Sequence, residues 1–344
     1  MHNFRKFLIS SFSIAFIFIL ISYTVITPFL NSEHGYYQDA KLREQTKGKI
    51  DTIVIGASNS LEAYNMNIID RELECYSYNL SQGLMPLNTR NYFLEKEITR
   101  NPVKRVIIDI SYQTLVRDED KEFAAGDETT LGRLDNTWER LYYILNYVSF
   151  DDWLNIYSRQ FVLGLEYWKS RMLKLNEKGI IYDLKGFHPV ESNDVTLSKE
   201  EAILSYENSS VNLNFLEKNL KKLEKSIKIC QDSNAEVILA VAPLPNSSLW
   251  KEKGYDEFYE WFTNFANEHD CVFYDFNLLK NRYEIFDDKY SFLDSQHLSS
   301  QGAATYTKEF CKLIKISKSQ DVSKYFYDSF VEMKKDSPYM KFIK

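Results

Sequence analysis

From Phe7 to Leu30 the chain runs 24 residues without a charge and is rich in Ile and Phe. Such a run is long enough to cross a hydrocarbon layer of roughly 30 Å, and in lipid a single segment satisfies its own backbone only as a helix. Arg5 and Lys6 precede it, whereas Asn31, Ser32, Glu33 and His34 follow it and no basic residue comes before Lys41. That asymmetry predicts a cytoplasmic N-terminus. Residues 1–30 therefore read as a cytoplasmic tip and single-pass cell-membrane anchor, with the rest of the chain extracytoplasmic. A cleaved signal peptide would have a shorter apolar core ending in small residues, and Thr27-Pro28-Phe29-Leu30 has no such ending.

At 344 residues the chain can bury a large core, and one domain of generous size with an insertion is expected. A net charge of −7 leaves no basic footprint for nucleic acid. Aromatic content of 15%, with 24 Tyr and 23 Phe, points first to core filling, although such rings also stack on sugars. Cys75, Cys230, Cys271 and Cys311 are far apart and form no CxxC pair, so they read as buried thiols; one or two disulfides stay open in an outward-facing domain. The histidines (His2, His34, His188, His269, His297) never pair at ligand spacing, and neither a metal nor a cofactor is expected. His188 and His269 read as solvent-exposed.

Residues 31–49 are polar and read as a stalk. Short β-branched runs at Thr52 to Ile55, Val103 to Ile110, Val237 to Val241 and Val272 to Tyr274 read as strands. Between them lie helical patterns such as Leu216, Leu220, Leu223 and Ile227, which share one face. Strands alternating with helices predict a parallel α/β sheet over residues 50–316, with ligands at the carboxyl ends of the strands. Residues 117–206 break the rhythm with an acidic stretch and an aromatic helical region. They read as an insertion, either a structural cap or a lid that binds a substrate or a partner. Residues 317–344 read as a final helix with a frayed end.

Two distant motifs carry the chemistry. Ile53-Val54-Ile55-Gly56-Ala57-Ser58-Asn59-Ser60 places a serine just past a strand, and Asp294-Ser295-Gln296-His297-Leu298 places a carboxylate three residues before a histidine. If the two meet, His297 can take the Ser58 proton while Asp294 orients the imidazole and stabilises its cation. Pro243 and Pro245 end a strand at the same edge, as a terminator or a cleft wall.

These two blocks resemble the first and last blocks of SGNH hydrolases, also called the GDSL family, in the family's order and with a helix expected after His297, from Ser300 to about Ile314. The resemblance implies a three-layer, flavodoxin-like α/β fold, with Ser58 as nucleophile, His297 as base and Asp294 as its partner. Asn79-Leu80-Ser81-Gln82-Gly83 looks like the second block, in which the Gly83 N–H joins that of Ser58 in an oxyanion hole. Ala57 stands where a typical member has Asp. No Gly-x-Asn-Asp follows the third run, and Ser111, Tyr112 and Gln113 are the candidates by position for the third donor. An anchored chain with these departures is similar to the branch that includes alginate O-acetylation proteins, peptidoglycan O-acetyltransferases and the teichoic-acid D-alanylation protein. That likeness implies acyl transfer through an acyl-Ser58 intermediate onto a cell-surface glycan or teichoic-acid-like acceptor, beside a multi-pass membrane O-acyltransferase. Two other readings stand: a membrane-tethered carbohydrate esterase, and a non-catalytic glycan-binding or assembly protein.

Overall fold

The computed structural model describes residues 2–31, 37–116, 124–173, 184–191, 214–249, 254–338 and 340. In chain order its main elements are α1 (His2–Ile21), α2 (Tyr37–Gln45), β1 (Thr52–Ile55), α3 (Ser58–Ala63), α4 (Met66–Leu73), β2 (Ser77–Asn79), α5 (Leu87–Arg100) and β3 (Arg105–Asp109). Then come α6 (Thr137–Tyr147), α7 (Phe150–Met172), α8 (Glu217–Gln231), β4 (Glu236–Val241), α9 (Tyr255–Glu268), β5 (Val272–Asp275), α10 (Ser300–Ser317) and α11 (Phe330–Lys335). They divide into two compact units, Met1–Gln45 with Ala124–Tyr182, and Thr46–Phe123 with Asp183–Lys344.

The second unit is a five-stranded sheet in the order β2-β1-β3-β4-β5, with every pairing parallel. This is the flavodoxin-like doubly wound order, and its direction reverses between β1 and β3. Ile53, Val54 and Ile55 in β1 and Val106, Ile107 and Ile108 in β3 are fully buried, as strands covered on both faces require. Right-handed crossovers place the β1–β2 connection on one face and the β2–β3, β3–β4 and β4–β5 connections on the other. Accordingly α10 packs on α3 and α4, while α5 packs on α8.

The four β-branched runs are strands, within two residues of the expected ends. The fifth strand, β2, carried no such signal, because Ser77-Tyr78-Asn79 is short and polar. Its outer edge is covered by residues 184–190: the Asn79 N–H donates to the Lys185 carbonyl at 2.9 Å. Gly186 sits there at φ +82°, and a Cβ would lie 2.0 Å from the Asn79 carbonyl oxygen. Residues 184–190, expected in the insertion, thus build the α/β unit. The remainder of 117–206 is described only over 124–173 and 191.

Helix α10 starts at the Ser299 cap, whose hydroxyl accepts from the Gly302 N–H at 3.1 Å, and runs one turn past the expected end. Residues 318–338 after it are docked and include the helix α11. Phe326, Tyr327, Phe330 and Met333 are buried, and the Phe330 ring lies 5.0 Å from that of Tyr255. All four cysteines are free, and three are buried.

In the first unit, the helix that begins with α1 widens to π geometry at Ser22–Ile26 and closes at Thr27–Leu30. The span Phe4–Leu30 contains an 18-residue window of mean hydropathy 2.2 and is long and apolar enough to cross a membrane. Residues 37–45, expected in a stalk, instead form α2. Its Asp39 is fully buried between Arg43 and Arg133, with Oδ2 at 3.0 and 2.9 Å from their Nε atoms. Charge along 31–49 looked like solvated linker because the partner that neutralises it, Arg133, lies 94 residues away.

Candidate active site

Gly56 ends β1 at the switch point of the sheet and lets the chain turn sharply into α3. A Cβ there would lie 2.6 Å from Ser60 Cβ and 3.0 Å from Asp109 Cβ, so only glycine fits between the nucleophile turn and β3. Ala57 occupies the cap position and Ser58 opens the helix. The first N–H groups of a helix have no acceptor within it. The Ser58 N–H therefore points outward from the same turn that presents the hydroxyl.

The second half of the site is a tight loop. Leu293 N–H donates to the His297 carbonyl at 2.8 Å, and Phe292 bridges Leu298. Within it the Asp294 carboxylate accepts from the Gln296 N–H at 2.8 Å and the His297 N–H at 3.0 Å, an Asx turn that fixes the backbone of the base. Helix α10 leaves this loop and is locked to α3 through Thr307, which donates to the Ala63 carbonyl at 3.1 Å and accepts from the Asn65 N–H at 3.0 Å. Packing of α10 on α3 is what brings the two motifs together.

The structure places Ser58, His297 and Asp294 in one chain of hydrogen bonds. Ser58 Oγ lies 2.9 Å from His297 Nε2, and His297 Nδ1 lies 2.9 and 3.0 Å from the two Asp294 oxygens. With the ring proton on Nδ1, Nε2 is free to accept from the serine hydroxyl. Burial works against ionising Asp294, but bonds from the His297 ring and the Gln296 and His297 N–H groups outweigh it and hold its pKa below the usual 3.8.

Of the oxyanion candidates, Gly83 lies in the loop after β2, beside β1. A Cβ on it would meet nothing within 4 Å, so packing does not demand glycine there. Ser111 opens the turn after β3, and its hydroxyl is bonded to Thr114 Oγ1 at 2.9 Å. The side chains of Tyr112 and Gln113 lie outside the described residues. Pro243 and Pro245 follow β4 directly, in a loop held by a 2.7 Å bond from Arg282 Nη2 to the Leu244 carbonyl. His188 and His269, expected exposed, are both half-buried. His188 stands 3.8 Å from Glu62, and His269 4.0 Å from Glu224.

Three supports escaped sequence reasoning. Asn59 Nδ2 donates to the Gln296 carbonyl at 3.2 Å, tying the nucleophile turn to the base loop across 237 positions. Asn79 donates to the Ser60 carbonyl at 2.9 Å, and Ser81 Oγ to Ser60 Oγ at 2.8 Å, fixing the β2 loop against α3. Behind Gly56, Asp109 accepts from Tyr64 OH at 2.9 Å, and Tyr64 in turn accepts from Tyr306 OH at 2.7 Å. Burial pushes the Asp109 carboxyl up to about 7, against the opposing pull of the Tyr64 bond and Arg90. The only local signal for this network was an aspartate ending an apolar strand.

No protein-family model matches the chain, and no curated protein matches its sequence. Two solved structures are similar in fold. One is a Bacteroides fragilis protein assigned as an acylhydrolase, with TM-score 0.38 and 7% identity over 81% of this chain and 94% of its own. The other is the psychrotrophic esterase EstA of a Pseudoalteromonas species, inhibited by monoethylphosphonate, with TM-score 0.34 and 13% identity over 78% and 100%. At such scores neither likeness bears on the chemistry of this chain, which rests on the geometry above.

Proposed function

We propose that this chain is a membrane-anchored serine acyltransferase of the SGNH type, acting outside the cell membrane on a cell-surface or exported glycan. The observation that carries the reading is the bond chain Ser58–His297–Asp294, with 2.9 Å at its serine step. His297 Nε2 takes the Ser58 proton as Oγ attacks the acyl carbonyl of a donor. The oxyanion meets the N–H groups of Ser58 and Gly83, each such donor being worth roughly 3 kcal/mol of barrier. A third donor would come from the turn at Ser111, Tyr112 and Gln113. The intermediate collapses, His297 returns its proton to the leaving group, and acyl-Ser58 remains. A sugar hydroxyl, deprotonated by His297, then attacks that ester and regenerates Ser58.

The uncharged run from Phe7 to Leu30, preceded by Arg5 and Lys6, supports a cytoplasmic N-terminus and an outward site. Tethering favours transfer over scavenging, since it holds the nucleophile where glycans are assembled and where a multi-pass membrane O-acyltransferase could hand over an acyl group. A carbohydrate esterase would use the same steps with water as acceptor. A non-catalytic assembly role draws on one observation, the absence of Gly-x-Asn-Asp after β3.

Labelling the full chain with a fluorophosphonate separates these readings. A Ser58-dependent adduct is expected, and its absence would remove both enzymatic functions. Acyl-donor turnover with and without a glycan acceptor then divides transferase from esterase.

A further inference from the structure

Helices α6 and α7 are built inside out. On α6 the charged Arg140 is buried, donating to the carbonyls of Leu131 and Leu134 and to Asn31 Oδ1, whereas Trp138, Leu141, Tyr142 and Leu145 are exposed, Trp138 by 80%. Their spacing places them in one stripe. On α7, Leu154, Val162, Leu165 and Met172 are exposed along one face that Ser158 and Lys169 interrupt, with Leu154 at 74% and Met172 at 75%. Two adjoining stripes of this kind call for an apolar surrounding.

Helix α7 packs against the apolar N-terminal helix. The Tyr157 and Phe18 rings stack at 4.1 Å. Gly164 lets α7 approach closely, since a Cβ there would stand 2.7 Å from the Val25 carbonyl oxygen. Pro28 has no N–H for the Thr24 carbonyl, and Trp168 Nε1 donates to that carbonyl at 3.1 Å, so a backbone group freed at membrane depth finds a partner. Between these helices lies a cavity of about 340 Å³ lined by Phe18, Ile26, Leu30, Ile144, Trp153 and Gln160. Gln160 is buried, and its Oε1 has no hydrogen-bond partner among the described residues.

We propose that α6 and α7 lie beside α1 in the outer leaflet of the membrane that it crosses, with their stripes among the acyl chains, and that the cavity holds one acyl chain of a bilayer phospholipid. The inference rests on the membrane reading of α1. Exposed Arg159 on α7 is paired with Glu128 at 2.7 Å, and Trp138 and Tyr142 are residue types that favour the headgroup level.

The test uses the full chain in vesicles of phosphatidylethanolamine and phosphatidylglycerol with brominated acyl chains. Variants retain only Trp138, only Trp168, or, in a tryptophan-free background, only the indole of Tyr23→Trp on the apolar helix. Bromine quenching is expected in all three. Quenching confined to Tyr23→Trp would overturn the proposal while leaving the anchor intact, as when a second copy or a partner protein covers the stripes. Quenching in none would overturn the anchor as well. For the cavity, a phospholipid with a diazirine at its acyl terminus should crosslink to α1, α6 or α7. That adduct should be lost in Ile144→Trp or Leu141→Trp, which fill the space, and kept in Met172→Trp on the outer stripe. Unchanged crosslinking in a folded cavity-filling variant would overturn the acyl-chain site.

Discussion

His297 Nε2 stands 2.9 Å from Ser58 Oγ across 239 positions of sequence. Nothing local enforces that distance; it is set by α10 docking on α3 through Thr307. Ser58→Ala is expected to abolish fluorophosphonate labelling and to lower acyl turnover by roughly 10⁴- to 10⁶-fold. Melting should stay near that of the parent, because the hydroxyl supports no other part of the fold. A labelled Ser58→Ala protein would place the nucleophile elsewhere.

Asp294→Asn should cut turnover by about 10⁴-fold by favouring the wrong histidine tautomer. Because its folded pKa is below 3.8, the carboxylate contributes stability above the unfolded value and loses it only as the pH falls through the lower folded value. The parent's advantage over the variant in acid melts should therefore be full above about pH 4 and shrink as the pH falls below it. Equal stability at neutral pH would contradict this account.

Asp109 has the opposite sign. Its folded pKa of about 7 lies above the ordinary 3.8, so the unfolded chain ionises first and this group lowers stability as pH rises from about 4 to about 7, with no further change above. Asp275, raised to about 6 chiefly by burial, slopes the same way. Asp109→Asn can still accept from Tyr64, and should flatten part of that slope in denaturant titrations across the range. An unchanged slope would mean that Asp109 ionises freely.

The glycines of the site differ in what they tolerate. Gly56→Ala forces a Cβ to 2.6 Å from Ser60 Cβ and should destabilise by about 1–3 kcal/mol while displacing Ser58. Gly83→Ala meets nothing within 4 Å and should melt like the parent. A loss of turnover in Gly83→Ala at unchanged stability would report substrate approaching that backbone closely. Chemical denaturation and initial rates on both variants check the contrast.

Asn59→Ala removes the side-chain bond that joins the nucleophile turn to the base loop beside the Ser58–His297 bond, at the Gln296 carbonyl. Turnover should fall about tenfold, the loss of roughly 1 kcal/mol of positioning, with little change in melting. A parent-like rate would show that α10 alone holds the loop.

Most of the sheet was readable because β1, β3 and β4 are buried on both faces over most of their length and so carry β-branched apolar runs, and β5 keeps a short apolar run although Val272 is exposed. β2 was not, since Ser77 and Asn79 are polar and are stabilised by partners far away in sequence, Lys185 and Ser60. The nucleophile and base motifs were legible because a strand–glycine–serine turn and an Asp-x-x-His turn are local conformations with local residue requirements. Asp109, Tyr64 and Tyr306 were not, because a buried polar residue looks like any other until its partners are known. The same holds for Asp39, which read as linker charge until Arg43 and Arg133 closed around it.

By itself the sequence determined an uncharged helix long enough to cross a membrane, a parallel α/β core, and the residue types of a serine nucleophile with its base and orienting acid. Those are properties of short segments, set by hydrophobic periodicity and by what glycine, serine and aspartate do to the backbone next to them. Tertiary structure alone decided that Ser58 and His297 share a proton, that Asp109 is forced toward neutrality behind them, and that α6 and α7 turn their apolar sides outward beside α1. Each of these depends on which surface covers which, and burial and proximity between distant segments leave no mark on either segment alone.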